Sequence, residues 1–183
     1  MKIKGKRFCA KSVAGFTMFE AVIALAVLAM SIGSISSMLA TTTSLSRSNK
    51  ERALALEIVE AVIEDLRAEA PGEVFARFNA TTLDDPATGV SPGDHFFVSG
   101  LTPQLDDPDG FVGDILFPGN GVELREDVVD VELGMSRDLN ADATIDSNDH
   151  AGDYTILPLR VRARWTGASG RQSLDVVYVV TTR

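Results

Sequence analysis

The chain has 183 residues, of which 45% are hydrophobic and 23% charged, so its composition excludes a wholly disordered protein and fits one domain with an appended element. A single cysteine excludes an intrachain disulfide framework, and two histidines 55 positions apart argue against a His-rich metal site or a catalytic triad. Residues 1–15 carry five bases and no acid, so residues 16–183 carry 12 bases and 26 acids, a formal charge of −14. That charge disfavours direct binding of nucleic acid.

A long apolar run follows the basic start. Residues 16–40 contain one charged side chain, Glu20. As a helix, this run would span about 37 Å, more than the roughly 30 Å of a bilayer core, and the preceding bases predict a cytoplasmic N-terminus. A secretory signal cleaved near the serine-rich residues 31–37 is the alternative, but such signals have shorter apolar regions. A carboxylate in lipid costs about 3 kcal/mol on insertion scales, so Glu20 is a candidate functional residue.

The sequence GFTMFE at residues 15–20 resembles the class III signal of type IV pilins and type II secretion pseudopilins. The resemblance implies that residues 1–15 are a leader, that a prepilin peptidase cuts between Gly15 and Phe16, and that the Phe16 amine is methylated. It further implies that Glu20 pairs with the Phe16 amine of a neighbouring subunit during assembly. Alternatively, Glu20 lies at the membrane interface and serves processing only.

The helix is predicted to continue as an amphipathic segment over residues 41–70. Apolar side chains recur there at helical spacing, with acidic and basic side chains opposite them, and Pro71-Gly72 ends the pattern. The apolar face consists of Leu54, Ala55, Ile58, Val59, Val62, Ile63 and Leu66. This face needs a partner, which residues 71–183 should supply.

Residues 71–183 are predicted to form a loop-rich β domain. The predicted strands are 96–98, 111–117, 122–135 with a bulge, 154–165 and 172–182, the last two joined as a hairpin by residues 166–170. Arg160, Arg162 and Arg164 alternate with apolar residues and predict a solvated sheet face or, alternatively, one that docks an acidic neighbour. The predicted class is α+β, a long N-terminal helix packed on a small antiparallel sheet, which is also the layout that the pilin-like resemblance implies.

Residues 138–149 resemble the twelve-residue calcium loop of EF-hands and dockerins. The predicted Ca²⁺ ligands are Asp138, Asn140, Asp142, the backbone carbonyl of Thr144, Asp146 and Asp149. Two departures are Ala143, where the pattern has glycine, and Asp149, where it has a longer glutamate. The alternative is a solvated acidic loop, although residues 106–153 hold 14 acids and two bases, a crowding that favours a cation.

A second, looser cation site is considered at residues 106–110 with Asp114, whose spacing does not match the loop template. Zinc is disfavoured because neither a cysteine nor a pair of histidines accompanies the carboxylates. The pairs Asp94-His95 and Asp149-His150 are interpreted as surface turns. Nucleophile, P-loop and dinucleotide-binding motifs are absent from the sequence, so no enzymatic activity is expected.

The sequence therefore predicts a filament subunit, either a minor pilin or a pseudopilin. By the resemblance, its partners are the prepilin peptidase, other pilin or pseudopilin subunits that contact its N-terminal helix, and the bacterial inner membrane, with the C-terminal domain in the periplasm. The alternative is a membrane-anchored or pilus-tip adhesin that binds its ligand in a calcium-dependent way. The sequence does not distinguish a pilus from a secretion pseudopilus.

Overall fold

A computed structural model describes residues 15–87, 91–107 and 109–182 of the chain. In chain order, the elements are helix α1 (Met18–Ala68), a 3₁₀ turn (Pro71–Glu73), helix α2 (Val74–Phe78), and strands β1 (His95–Phe96), β2 (Gly113–Leu116), β3 (Ile156–Gly167) and β4 (Gly170–Thr181). The predicted α+β class is confirmed at this level. Residues 1–43 and 44–183 form separate units, and each is described by itself.

The first unit contains the start of α1, and its apolar side chains lie in the open. An 18-residue window of the helix is long and apolar enough to cross a membrane, and none of that window is buried. Hydroxyl groups within it donate back to the preceding turn, as Ser31 does to the carbonyl of Val27 and Ser34 to that of Met30. These bonds leave the helix surface without unpaired hydroxyl donors at those positions.

The second unit is built on an antiparallel sheet of order β1-β2-β3-β4. The long hairpin of β3 and β4 pairs from Ile156 with Thr181 to Gly167 with Gly170. The predicted hairpin is therefore confirmed, and its strands run closer to the turn than expected. Period-two alternation puts every second side chain of β3 into the core, including the fully buried Trp165.

The later part of α1 supplies the other side of this core. Ala55, Val59 and Leu66 are almost completely buried, and Leu54 and Ile58 pack against the same cluster. The predicted apolar face is thus confirmed. Ala55 and Val59 are more deeply buried than their neighbours Leu54 and Ile58. The apolar cluster also includes residues of α2, which the sequence did not predict; its members there are Val74, Phe75 and Phe78.

The arginine stripe on β3 is not simply solvated, because acidic side chains of the same chain cover it. Arg160 forms ion pairs with Glu132 and Asp130, and Arg162 pairs with Asp114. These acids come from the segment between β1 and β3, so the stripe is neutralised within the chain. The sequence interpretation missed this because the partners lie 28 to 48 positions away.

The predicted strand over residues 122–135 is wrong. This segment forms turns, with one isolated bridge between Gly119 and Leu124. The carboxylate of Asp130 accepts the amide hydrogens of Glu132 and Leu133, which would otherwise be available to a ladder. Short polar side chains compete with sheet pairing in this way, and the alternating valines end up exposed.

Candidate functional site

The predicted processing motif lies at the start of α1. Residues 1–14 of the predicted leader lie outside the described residues, whereas Gly15 and Phe16 precede the helix and are exposed. The hydroxyl of Thr17 accepts the amide hydrogen of Glu20 at 3.2 Å, which caps the helix in the manner of the S/T-x-x-E pattern. Glu20 is exposed in the first turn of the helix.

The fold itself does not require a glycine at position 15. A Cβ built on Gly15 has no atom within 4 Å among the described residues. A steric reason for glycine is therefore missing from this part of the structure.

The predicted calcium loop begins with a tight, polar turn. Both carboxylate oxygens of Asp138 accept backbone amide hydrogens, from Ala141 at 2.6 Å and from Ala143 at 2.7 Å. Ala141 and Ala143 have φ of 68° and 69°. Ala143 thus adopts the positive φ that the missing glycine would favour, which carries the backbone strain expected from the sequence.

The middle of the loop repeats short local turns. Asn140 accepts the amide hydrogen of Asp142, and Asp142 accepts that of Thr144. The side-chain amide of Asn140 also donates to Asp142 Oδ2 at 3.2 Å. Asp138, Asn140, Asp142 and Thr144 therefore follow one another along a curled backbone on the surface.

Asp146 and Asp149 turn to different neighbours. Asp149 Oδ1 accepts the amide hydrogens of Leu124 and Ala151, whereas Asp146 Oδ1 lies 3.2 Å from His150 Nε2. Within the described residues, Asp146 joins a group of three ligand-type side chains whose atoms lie within 4.8 Å of one another. The other predicted carboxylates, those of Asp138, Asp142 and Asp149, belong to no such group there. Metal binding at the full predicted set stays a prediction.

The two other members of that group, Glu126 and His150, were not predicted. Glu126 is completely buried, and its carboxylate accepts amide hydrogens from Leu139, Asn140 and Asp146, which ties both halves of the loop to one side chain. His150 is 4% exposed, so its interpretation as part of a surface turn is wrong. Its position directly after the acidic pattern was the one available sequence signal.

Charge around His150 outweighs its burial. Burial lowers the pKa of His150, whereas hydrogen bonds to Asp146 and Asp153 and the charge of Glu126 raise it. Together the raising effects are larger, so the pKa lies above its usual value. Amide donation from Asn148 and the contact with His150 lower the pKa of Asp146. The group is therefore an anionic pocket that already attracts one cation, the proton on imidazole.

A second group of ligand-type side chains contains His95, Asp109 and Asp114. His95 on β1 pairs directly with Asp114 on β2. Their neighbours Phe96 and Gly113 form the next pair, and a Cβ at Gly113 would clash with the Phe96 ring. Close approach of these short strands thus brings the imidazole to the carboxylate. His95 is half-buried in this group, so its interpretation as part of a free surface turn is also wrong.

The chain matches no protein-family model, and comparisons with curated proteins and with solved structures find no similar protein. Its functional interpretation therefore depends on the residues themselves.

Proposed function

We propose that the chain is a pilin-like filament subunit, a minor pilin or a pseudopilin, anchored in the bacterial inner membrane by residues 16–40. The observation that carries the proposal is the exposed apolar start of α1, which begins three residues after Gly15 and has one acid in its first turn. A surface of this kind is stable only in lipid or against other apolar helices.

The absence of a steric role for Gly15 supports processing at this position. Neither space nor a positive φ calls for glycine there, and the resemblance of residues 15–20 to a class III signal implies a peptidase that cuts between Gly15 and Phe16. The same helix start then presents the new Phe16 amine to partners. Removal of residues 1–15 also removes five positive charges, which lets the helix leave the cytoplasmic face during assembly.

Glu20 is proposed to pair with the Phe16 amine of a neighbouring subunit. A carboxylate at this depth is expensive in an apolar environment unless a cation accompanies it. An incoming subunit at the wrong height would leave both charges unpaired, so the pair would set the axial register. The cap by Thr17 involves the backbone amide of Glu20, which leaves its carboxylate available.

The loop at residues 138–149 is proposed to bind Ca²⁺ and to stabilise the periplasmic domain. Its side-chain oxygens follow the spacing that Ca²⁺ prefers, and the curl already exists in the structure. Calcium would there offset the repulsion among carboxylates in the acidic segment.

Processing is tested by intact mass after extraction from cells that contain an active prepilin peptidase. We expect a chain that begins at a methylated Phe16. Gly15→Ala should still be cleaved and Gly15→Leu should not, and a Cβ at this position meets no atom within 4 Å among the described residues. A wild-type chain that keeps its leader in such cells would contradict the proposal.

Assembly is tested with Glu20→Ala in the same cells. The variant should be cleaved but should enter filaments poorly, as measured by its share of sheared filaments. Glu57→Ala, an exposed glutamate later on α1, is the matched control and should be incorporated normally. Normal incorporation of cleaved Glu20→Ala would limit Glu20 to processing or membrane depth.

A further inference from the structure

The imidazole of His95 faces two carboxylates without a hydrogen bond. Its Nδ1 is a buried atom that has no hydrogen-bond partner. The nearest acidic atoms are Asp114 Oδ1 at 3.4 Å and Asp109 Oδ2 at 3.6 Å. Ligands of a tetrahedral ion with bonds of 2.0–2.1 Å lie about 3.3 Å from one another. Both distances from Nδ1 are thus close to the separation between two ligands of one metal ion.

The other ring nitrogen has the neighbour that a metal-binding histidine usually has. His95 Nε2 lies 3.4 Å from Asp94 Oδ1. A carboxylate on the far nitrogen keeps the proton there and leaves the lone pair of the near nitrogen free for a metal. Without a cation, that lone pair of Nδ1 would face only the negative oxygens of Asp109 and Asp114.

Asp107 adds an independent sign that a cation belongs here. Its side chain is 1% exposed, and neither carboxylate oxygen makes a hydrogen bond, although Arg164 Nη2 lies 3.0 Å from Oδ2. Asp107 also interacts electrostatically with Asp109 and Asp114. A buried carboxylate that has one guanidinium partner and lies near two other carboxylates is costly, and further positive charge would lower that cost.

The guanidinium groups nearby do not complete that compensation. Arg162 and Arg164 both hold Asp114 Oδ2, at 3.1 and 3.2 Å, which leaves Oδ1 directed at His95. Three carboxylates lie within 3.6 Å of the His95 ring nitrogens, those of Asp94, Asp109 and Asp114, and Asp107 interacts with the last two. Against these two arginines the formal charge of the group is −2, the charge that one divalent ion neutralises.

We propose that His95 Nδ1, Asp109 and Asp114 bind a divalent transition-metal ion of the zinc class, with Asp94 orienting the imidazole and the charge of Asp107 nearby. An imidazole ligand selects zinc-class ions over calcium, which prefers oxygen alone. The sequence argument against zinc was that neither a cysteine nor a pair of histidines accompanies the carboxylates. This group has one histidine, which strand pairing brings to Asp114.

The site would join the short strands β1 and β2 to the loop before β2. His95 and Asp114 lie opposite each other on the paired strands, and Asp109 comes from the loop. Such an ion would therefore stabilise the β1 edge of the sheet, where β1 and β2 pair through only two residues each. This role is separate from filament assembly and from the calcium loop.

The test is calorimetric titration of the detergent-solubilised full chain with Zn²⁺ in millimolar calcium. A Cys9→Ser background removes the one thiol that would also bind zinc. We expect one zinc ion per chain. His95→Phe, which can keep the stacking on Phe111, and Asp109→Asn should each weaken binding by about tenfold or more. Asp146→Asn, in the other group, should bind zinc as the parent does.

The fluorescence of buried Trp165 verifies that each variant is folded, and the exposed Asp109 offers a substitution with little risk to folding. Absence of zinc binding to the folded parent chain would overturn the proposal. Unchanged affinity in both His95→Phe and Asp109→Asn would do the same. Loss of binding in Asp146→Asn alone would assign the metal to Glu126, Asp146 and His150 instead.

Discussion

Residues 18–43 and residues 44–182 differ in where their apolar side chains lie. In the first region, side chains such as Met18, Leu25 and Met30 are 65–88% exposed, and none of the candidate membrane window is buried. In the second region, α1 shares a cluster with β3 in which Val59, Leu66 and Trp165 are at most 1% exposed. The second region thus completes a core from its own residues, whereas the described apolar side chains of the first region stay exposed.

The sharpest test of this difference uses two leucines of the same helix. Leu66 is 1% exposed and Leu28 is 55% exposed. Leu66→Ala should lower the free energy of unfolding of the second unit by about 2–5 kcal/mol, because it leaves a cavity, and Leu28→Ala should leave it unchanged. The measurement is denaturant unfolding of the solubilised full chain, followed by Trp165, the single tryptophan. Equal losses in both variants would mean that the first region also contributes to that core.

A second prediction concerns the polar part of the second region. Glu126 is completely buried and accepts three amide hydrogens, whereas Glu123 is exposed. Glu126→Ala should lower the free energy of unfolding by about 3 kcal/mol, because it leaves backbone amide donors without an acceptor. Glu123→Ala should lower it little. Thermal melting of both variants verifies the difference. Equal melting temperatures would show that solvent replaces the glutamate.

Calcium removal is expected to have the next largest effect. Binding to the folded state alone adds about 2.7 kcal/mol of stability at a hundredfold excess over Kd, so the domain should melt several degrees lower in chelator. Asp142→Ala should abolish that shift, since it removes the side-chain oxygen of a predicted ligand. Asp65→Asn, at an exposed position on α1, should keep it. Identical melting curves with calcium and chelator would leave the loop as a solvated acidic turn.

Periodic patterns made the framework of this fold predictable from the sequence. The alternation along β3 and β4 and the helical spacing of Ala55 and Val59 each report burial on one face, and both are confirmed. The apolar start of α1 was equally plain, because a run of 25 residues with one charge has few other interpretations.

Of the candidate sites, the sequence indicated only groups whose residues are close in the chain. The chain curls over residues 138–144 as a calcium loop would need, whereas metal binding by the predicted set stays a prediction. Glu126 and His95 reach their groups through tertiary packing and strand pairing, which no local pattern encodes. The segment 122–135 failed for a related reason, since side-chain capping by Asp130 outcompeted an alternation that would have suited a strand.

The smallest expected effect concerns the link between the end of α1 and the sheet. Tyr154 is 5% exposed, donates its hydroxyl to the Pro71 carbonyl at 2.6 Å, and accepts the Phe75 amide at 3.3 Å. Tyr154→Phe should cost about 1 kcal/mol of unfolding free energy at neutral pH, less than the loss of a core side chain. Denaturant titration measures this cost directly.

The same phenol should make the wild-type chain sensitive to alkali. Burial raises the pKa of Tyr154, and the amides of Phe75 and Val74 offset this only in part. Between the unfolded pKa of about 10 and the higher folded pKa, the unfolded state holds fewer protons, so stability falls as pH rises through that window. Tyr154→Phe should therefore lose less stability than the wild type above pH 10, whereas Tyr178→Phe keeps Tyr154 and should show the wild-type loss. Parallel alkaline profiles for wild type and Tyr154→Phe would mean that the hydroxyl ionises as readily in the folded chain as in the unfolded one.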